Sequence, residues 1–597
     1  MNPRWLRSEE RASRNHRLLP LASLAVAFAA ADTYVVVLCL PDMMASVGLS
    51  IDQLQRAAPI LSGFLLGYVA MLPLIGRIAD VRGRPPVLIG SLVLFGVGSL
   101  VTAAAYDLPS LVAGRFLQGV GGGGLVPVTL ALVADLYPAE RRSVPLGIVG
   151  AVQELGSVIG PLYGAAILAI SDWRWIFWIN LAVAAVLAVV ARASAGRLTP
   201  RRERARPDWL GLLLLAVLVA GVLLVMRQPT SLTTSVTWGA PFVPFGNAEP
   251  AGGHLWWSPI GVTVVAVAVL LIAWIATGSP RRQRIVDISA WRGALREADL
   301  GGALLLAVVL GGIILTFATA DPQVQVISAA GPWLLGASAI ALVGLVWHLR
   351  RARNPLIPGD ALRARPAWSS LVVSFFIGAA LIAVLTDVPI FARATVYADS
   401  QTHAALVLVE FLVALPIGAV IGGLLCRHLA NGIVAAGGMV VAAGGVWAMS
   451  FWGPTSLHHL TSSLALAGAG LGFGLALAPV NNALLAHTPA RVHGVSSALL
   501  VVARMVGMLV GISGLTTLGL RRYYAASGSI PSPNDVCGGL RTRCDAYTDL
   551  LRDAALQQLH AVFVGAAVCA IIAAVAAIVG LRDLRDPDVE DVSQLLA

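Results

Sequence analysis

Six ionisable residues stand inside or at the edge of long apolar stretches of the chain: Asp32, Arg115, Glu154, Asp387, Glu410 and Arg504. Charge is costly there, nominally about 2.5–3.5 kcal/mol at the centre of a membrane helix, so each must be paired, hydrated or neutralised. Asp32 sits near the middle of the first stretch, in Ala-Ala-Asp-Thr-Tyr, and Glu154 precedes a run of glycines in the fifth. A carboxylic acid in a low-dielectric site resists ionisation, so it can take up and release a proton as water access changes. Arg115 is the natural counter-charge to either acid. Two readings are open for such a couple, proton carriage or a static salt bridge, and Asp387 and Glu410, nearer the outer face, pose the same choice beside Arg504.

Residue type excludes other chemistries. Lysine is absent, all 41 basic residues being arginine, so the chain has no phosphate-loop lysine for a nucleotide and no Schiff-base lysine for pyridoxal phosphate or retinal. No Cys/His set has metal-ligand spacing, and His458, His459, His487 and His493 fall at predicted helix ends, where solvated surface histidines are expected. With no nucleophile, base and metal set in the helices, neither an enzyme nor a cofactor is expected. The net charge of +10 comes from arginine-rich loops without aromatic platforms, which argues against nucleic acid and for the anionic lipids of the inner leaflet.

The elements that must position these groups are apolar helices. At 57% hydrophobic residues, 12% charged residues and a mean hydropathy of +0.82, a chain of 597 residues cannot hide its apolar surface in one soluble core. Sixteen apolar stretches run from about 20–40 to 258–278 and from about 299–320 to 558–581, and most reach the ~20 residues that a spanning helix needs. Thirty of the 41 arginines fall on one set of alternate loops and nine on the other, which predicts a multi-pass protein of the plasma membrane with both termini cytoplasmic. Apolar sequence continues past Ala27-Phe28-Ala29 to Leu40, so the first stretch reads as an uncleaved span rather than a signal peptide. Cys537 and Cys544 lie seven apart in the long outer loop before the last stretch, on the oxidising side by this topology, which suggests a disulfide, with Asp545 placed to cap the helix that follows.

Several motifs carry a family resemblance. Gly76-Arg-Ile-Ala-Asp80-Val-Arg-Gly83-Arg84-Pro-Pro86 is a charged hinge between the second and third stretches; it resembles the loop between helices two and three of the major facilitator superfamily, with Val81 and Pro85 departing from the usual pattern. Arg115-Phe-Leu-Gln118-Gly119 is similar to an element of that superfamily's proton-coupled exporters. Gly156, Gly160 and Gly164 recur every four residues on one helix face, a pattern that lets another backbone approach. With Pro161 they resemble the antiporter motif of the fifth helix. Asp172-Trp-Arg-Trp-Ile-Phe-Trp-Ile-Asn180 and Asp208-Trp-Leu-Gly211 look like the fourteen-span drug:proton antiporters.

The resemblance implies an all-α polytopic membrane protein with the major facilitator fold, two six-helix bundles over 1–195 and 367–597 and inserted helices over 196–366. Four inserted spans make sixteen, against fourteen in the family, and Asp299-Leu-Gly-Gly302 resembles a second copy of the Asp208 segment. Narrower similarity lies in Asp32-Thr-Tyr-Val-Val, Gln153 to Gly164, and Val501-Val-Ala-Arg504 to Gly511. These resemble mycobacterial exporters that move triacylglycerides with a periplasmic lipoprotein partner and whose last helices extend outward, as 521–557 would here. The function so implied is proton-coupled export of amphiphilic or lipidic compounds. Small cationic drugs as cargo, or an uncoupled lipid conduit or lipoprotein scaffold, are the alternatives.

Overall fold

The computed structural model describes residues 18–49, 54–138, 141–195, 206–227, 259–277, 282–283, 288–318, 328, 330–359, 361–397, 403, 406–537 and 545–581. Among the described residues sixteen long helices coincide with the sixteen apolar stretches. The first six are α1 Leu18–Ser46, α2 Leu54–Arg82, α3 Arg84–Ala104, α4 Leu108–Leu136, α5 Ser143–Ile170 and α6 Arg174–Ala195. The middle four are α7 Trp209–Arg227, α8 Pro259–Thr277, α9 Leu300–Ala318 and α10 Gly331–Arg351. The last six are α11 Arg365–Ala394, α12 Leu408–Leu425, α13 Asn431–Met449, α14 Leu460–Ala486, α15 His493–Ser527 and α16 Asp545–Gly580. Among the described residues thirteen of these are long and apolar enough to cross a membrane, while α1 and α8 contain the shorter apolar runs Leu19–Thr33 and Ile260–Ile275.

Local chemistry sets the helix ends. Asp107 caps α4, its carboxylate accepting from Ser110 N at 2.9 Å while the Ser110 hydroxyl accepts from Asp107 N at 3.3 Å. Gly83, at φ +94°, makes the tight turn between α2 and α3, a conformation that a side chain would strain. Helices α15 and α16 run beyond the apolar windows at 495–520 and 558–581, through Arg521, Arg522 and the polar Asp545–His560 segment, because a helix that leaves the bilayer keeps its own backbone hydrogen bonds.

Helices α1–α6 pack on one another, as do α11–α16. We call the end at which α1 begins the near face. The two groups meet there, α2 against α15 and α5 against α12. The backbones are close: a Cβ on Gly423 of α12 would lie 2.7 Å from the carbonyl oxygen of Ser143 at the start of α5.

The four middle helices form two hairpins with matching clasps at the near face. Asp208, just before α7, accepts from Gly211 N and Trp274 Nε1, each at 3.0 Å. Asp299, just before α9 and at φ +53°, accepts from Gly302 N at 3.0 Å, Leu356 N at 2.8 Å and His348 Nε2 at 2.7 Å. Trp274 and His348 each stand three residues before the end of the returning helix. Burial disfavours the Asp299 carboxylate, but the Gly302 N–H, His348 and the Leu356 N–H together hold its pKa below the usual value. Hairpin α9–α10 is sewn into the first group, with Ala303, Leu310, Ile314 and Leu345 in the same apolar cluster as Phe64 and Leu72 of α2. Hairpin α7–α8 packs around Val225 and Val264 in a small cluster that also takes in Tyr106, between α3 and α4. Among the described residues the strand content is a two-residue parallel bridge, Arg206–Pro207 with Arg282–Gln283.

Candidate functional site

Two separate ion pairs hold four of the six intramembrane charges. In the first, Arg115 of α4 donates from a terminal nitrogen to Asp32 Oδ2 of α1 at 2.8 Å. The other carboxylate oxygen accepts from Gln118 Nε2 at 2.9 Å and from the side-chain amide of Asn180 on α6. Arg115 also donates to Gln118 Oε1 at 2.6 Å, and Gln118 to Ser99 Oγ of α3 at 3.1 Å. The guanidinium lies 4.4 Å from the centroid of the Phe64 ring, a cation–π contact. Every member is sealed, with Asp32 2% exposed, Arg115 1% and Gln118 0%. Taking such a pair out of water costs several kcal/mol per ion, and it persists only where hydrogen bonds satisfy the remaining atoms, as they do on both Asp32 oxygens.

Glu154 does not join it. Gly156 and Gly160 of α5 lie against Ala27 and Ala31 of α1, where a Cβ would strike the facing carbonyls. That registers Asp32 with the turn after Gly160, about 10 Å along the helix from Glu154 at 1.5 Å per residue. The expected choice of Arg115 as counter-charge to either acid is therefore corrected: Arg115 serves Asp32, and Glu154 Oε1 faces Arg504 of α15 at 3.8 Å. This second pair spans the two helix groups. It borders a cavity between them lined by Gln153, Ser374, Asn481 and Arg504 with apolar residues of α4, α5, α11, α14 and α15. Gly164 is buried on α5, and the side chain of Pro161 lies outside the described residues.

A third cluster joins the groups at the near face. Asp80, near the end of α2, accepts from the first-turn amides of α15, Gly494 N at 2.8 Å and Val495 N at 3.0 Å, and from Arg84 at 2.5 Å. Arg84 also bonds Asp135 of α4 at 3.2 Å. A carboxylate on the unsatisfied N–H groups of a helix start completes them and meets the positive end of the helix dipole. Gly76, one turn before Asp80, touches the Gly494 carbonyl so closely that a Cβ has no room. Gly76, Asp80 and Arg84 thus gather at one contact, and Gly83 makes the turn beside it without touching the facing helix. His493, expected on the surface, is buried instead at 3% exposure, bonded through Nε2 to Thr488 O at 3.0 Å, because the facing helix group covers this helix start.

The remaining candidates stay apart. Asp387 of α11 is buried and accepts from the Thr386 hydroxyl at 2.9 Å, with no ion pair among the described residues. Glu410 of α12 is exposed and accepts from Ser463 Oγ at 3.0 Å. Cys537 is disulfide-bonded and Cys39, Cys426 and Cys569 are free; Cys544 lies outside the described residues. No group of three or more His, Cys, Asp or Glu suited to a metal occurs among the described residues. Sequence reading missed Asn180 and Ser99 as members of the Asp32 cluster. The available signal was a single amide, Asn180, in an otherwise apolar helix start.

The sequence profile of the Major Facilitator Superfamily matches residues 22–512. The chain belongs to the major facilitator superfamily. It is a multi-pass membrane transporter by that membership. Among its relatives in the superfamily, the triacylglyceride transporter of Mycolicibacterium smegmatis is 33% identical over 585 residues, covering 94% of this chain and 87% of the relative. That of Mycolicibacterium hassiacum is 35% identical over 535 residues, 86% of this chain and 82% of the relative. A probable triacylglyceride transporter of Mycobacterium leprae is 33% identical over 568 residues, 92% and 93%. A solved major facilitator structure, a human organic anion transporter, aligns with a TM-score of 0.52 at 14% identity, over 94% of this chain and 99% of that one, a likeness of fold alone.

Proposed function

We propose that this major facilitator protein exports an amphiphilic or lipidic compound across the plasma membrane in exchange for protons. The observation that carries the reading is the Glu154–Arg504 pair, which joins the two helix groups beside the central cavity. Charge attraction across the boundary holds the groups together. A proton on Glu154 removes its charge, and with it the charge–charge attraction to Arg504, so protonation and separation of the groups are linked. Asp32, held by Arg115, Gln118 and Asn180 inside the first group, is a second proton position whose partners stay together when the groups move. Asp387, buried with no cation paired to it among the described residues, is a third carboxyl that such a cycle can use.

The arginine asymmetry of the loops puts the near face and both termini in the cytoplasm. The Asp80 clasp on α15 then closes the cytoplasmic end, the arrangement of a transporter that faces outward. Relatives at 33% to 35% identity carry triacylglyceride transporter as their name, which supports a lipid cargo. The outer extension 521–557 is where a periplasmic lipoprotein, suggested by the family resemblance, would dock. Arg504 on the cavity wall weighs against small cationic drugs.

The deciding experiment is transport from proteoliposomes under an imposed pH gradient, with Glu154→Gln and Asp32→Asn beside the wild type and a fluorescent lipid beside a cationic dye. Gradient-driven lipid movement that either substitution abolishes supports exchange. Movement indifferent to the gradient and to both acids returns the protein to an uncoupled conduit or scaffold.

A further inference from the structure

His493 is a buried titratable group that the exchange of protons at Glu154 and Asp32 leaves without a role. It opens α15 where α2 lands on that helix, directly before Gly494 and Val495, whose amides Asp80 takes. Its Nε2 lies 3.0 Å from the Thr488 carbonyl, an acceptor, so that nitrogen holds the hydrogen of the neutral ring. Nδ1 is sealed from solvent and has no hydrogen-bond partner among the described residues. A proton there would add a donor and a positive charge with no acceptor among those residues to receive them, and burying an unpaired charge costs far more than leaving a lone pair idle. Charges reach this point from several elements. Arg142, before α5, is pinned by the Tyr137 and Ala134 carbonyls at 2.8 and 2.9 Å, and Arg84, at the start of α3, by Asp80 and Asp135. Both arginines repel a positive ring, whereas Asp135 of α4 attracts it. Arg77 and Arg82 stand on the last turns of α2, His487 closes α14, and Arg491 is exposed in the turn before α15. Glu140, in the loop that holds Arg142, lies outside the described residues. The positive end of the α15 dipole adds to the repulsion.

Resting on the reading that the helix groups part at the near face, we infer that His493 is a proton-binding site whose occupancy is incompatible with closure there, so that protons arriving from the near side hold the groups apart. The ring is covered only because the facing group covers it. Once the groups part it meets water and titrates near the ordinary histidine value, about 6.5. The sign follows by linkage: the open form binds the proton and the closed form does not, so opening is favoured as pH falls below that value, by about tenfold per pH unit. With this face in the cytoplasm, acid there would hold the protein inward-facing and slow the return step of each exchange cycle.

The test reads the separation of the groups directly. Full-length protein in lipid nanodiscs, its free cysteines replaced, carries spin labels at Arg192→Cys and Arg427→Cys, exposed positions at the near-face ends of α6 and α12. Pulsed electron resonance gives the ratio of long to short label distances at pH 7.5 and at pH 5.5. With otherwise native residues that ratio should rise about tenfold on acidification. His493→Gln keeps an amide hydrogen for the Thr488 carbonyl and takes no proton, so its ratio should stay flat over the interval, with a thermal midpoint within a few degrees of the parent. His493→Arg, charged at both pH values, should favour the long distance at both. Glu154→Gln should keep the response of the parent, which separates His493 from the exchange acid. A ratio that does not change with pH in the parent, a response that persists in His493→Gln, or one that vanishes in Glu154→Gln would each overturn the inference. Failure of exchange reads out separately: proteoliposome transport indifferent to the gradient, beside a near-face response that follows His493, removes exchange and leaves this site in place.

Discussion

Glu154 on α5 and Arg504 on α15 lie 3.8 Å apart across the boundary between two six-helix groups, whereas Asp32 and Arg115 form a 2.8 Å pair wholly inside one of them. A pair within a rigid group is constant through a rocking motion. A pair across the boundary is not.

Glu154→Gln should therefore lower gradient-driven transport on the order of tenfold or more while leaving the fold intact, since coupling energies of about 1–3 kcal/mol span that range. Thermal unfolding in detergent should stay within a few degrees of wild type. Retained transport with an unchanged dependence on the gradient would remove Glu154 from the coupling machinery.

The Asp32 cluster predicts the opposite balance. Arg115→Ala leaves a carboxylate buried without its cation and should cost about 3–5 kcal/mol of stability. Removing both charges, Arg115→Met with Asp32→Leu, should restore much of that stability and none of the transport. A double-mutant cycle on thermal midpoints, read against transport of the same proteins, separates the two effects.

At the near face, Asp80→Asn removes the negative charge from the start of α15, worth about 0.3–1 kcal/mol at an exposed site and up to ~2 kcal/mol when partly buried. Gly76→Val should act more strongly, because the added side chain collides with the Gly494 backbone. Both should raise the labelling rate, from the near face, of a cysteine placed at Val149 in a protein whose native free cysteines are replaced. Unchanged labelling in Gly76→Val would show that this contact does not close the cavity.

Asp299 gives a pH prediction. Its folded-state pKa is depressed, so the clasp contributes stability that is fully present above the unfolded value, about 3.9, and is lost only as pH falls through the lower folded value. Hydrogen exchange at the Gly302 and Leu356 amides should stay slow from neutral pH down to about pH 5 and accelerate in stronger acid. In Asp299→Asn it should be fast, after correction for intrinsic rates, across the whole range.

Most of the helices were legible because apolar length is itself the signal: a bilayer asks for about 20 residues, and thirteen helices among the described residues meet that length. Arg115 and Asp32 stood out as charges in apolar surroundings, but which of the two acids Arg115 serves did not. Residue counting gives depth along a helix, whereas pairing also depends on which way each helix is turned. The turn of α5 is set by Gly156 and Gly160 against α1, a contact that no single helix reveals. Asn180 and Ser99 carry no charge and so looked like ordinary helix residues. His493 was misread for a related reason: a helix end is normally wet, and only the arrival of the facing group makes this one dry.

The paired clasps of Asp208 with Trp274 and Asp299 with His348 bear on how such a chain could lengthen. Each hairpin ties its own outgoing and returning helices together at the face where it starts and ends, so it reaches the bundle as a finished module. Splicing in one more, or losing one, would leave the charged partners of the transport helices untouched. A hairpin closed on itself in this way can be added to the chain with neither the Asp32–Arg115 pair nor the Glu154–Arg504 pair supplying a residue to it.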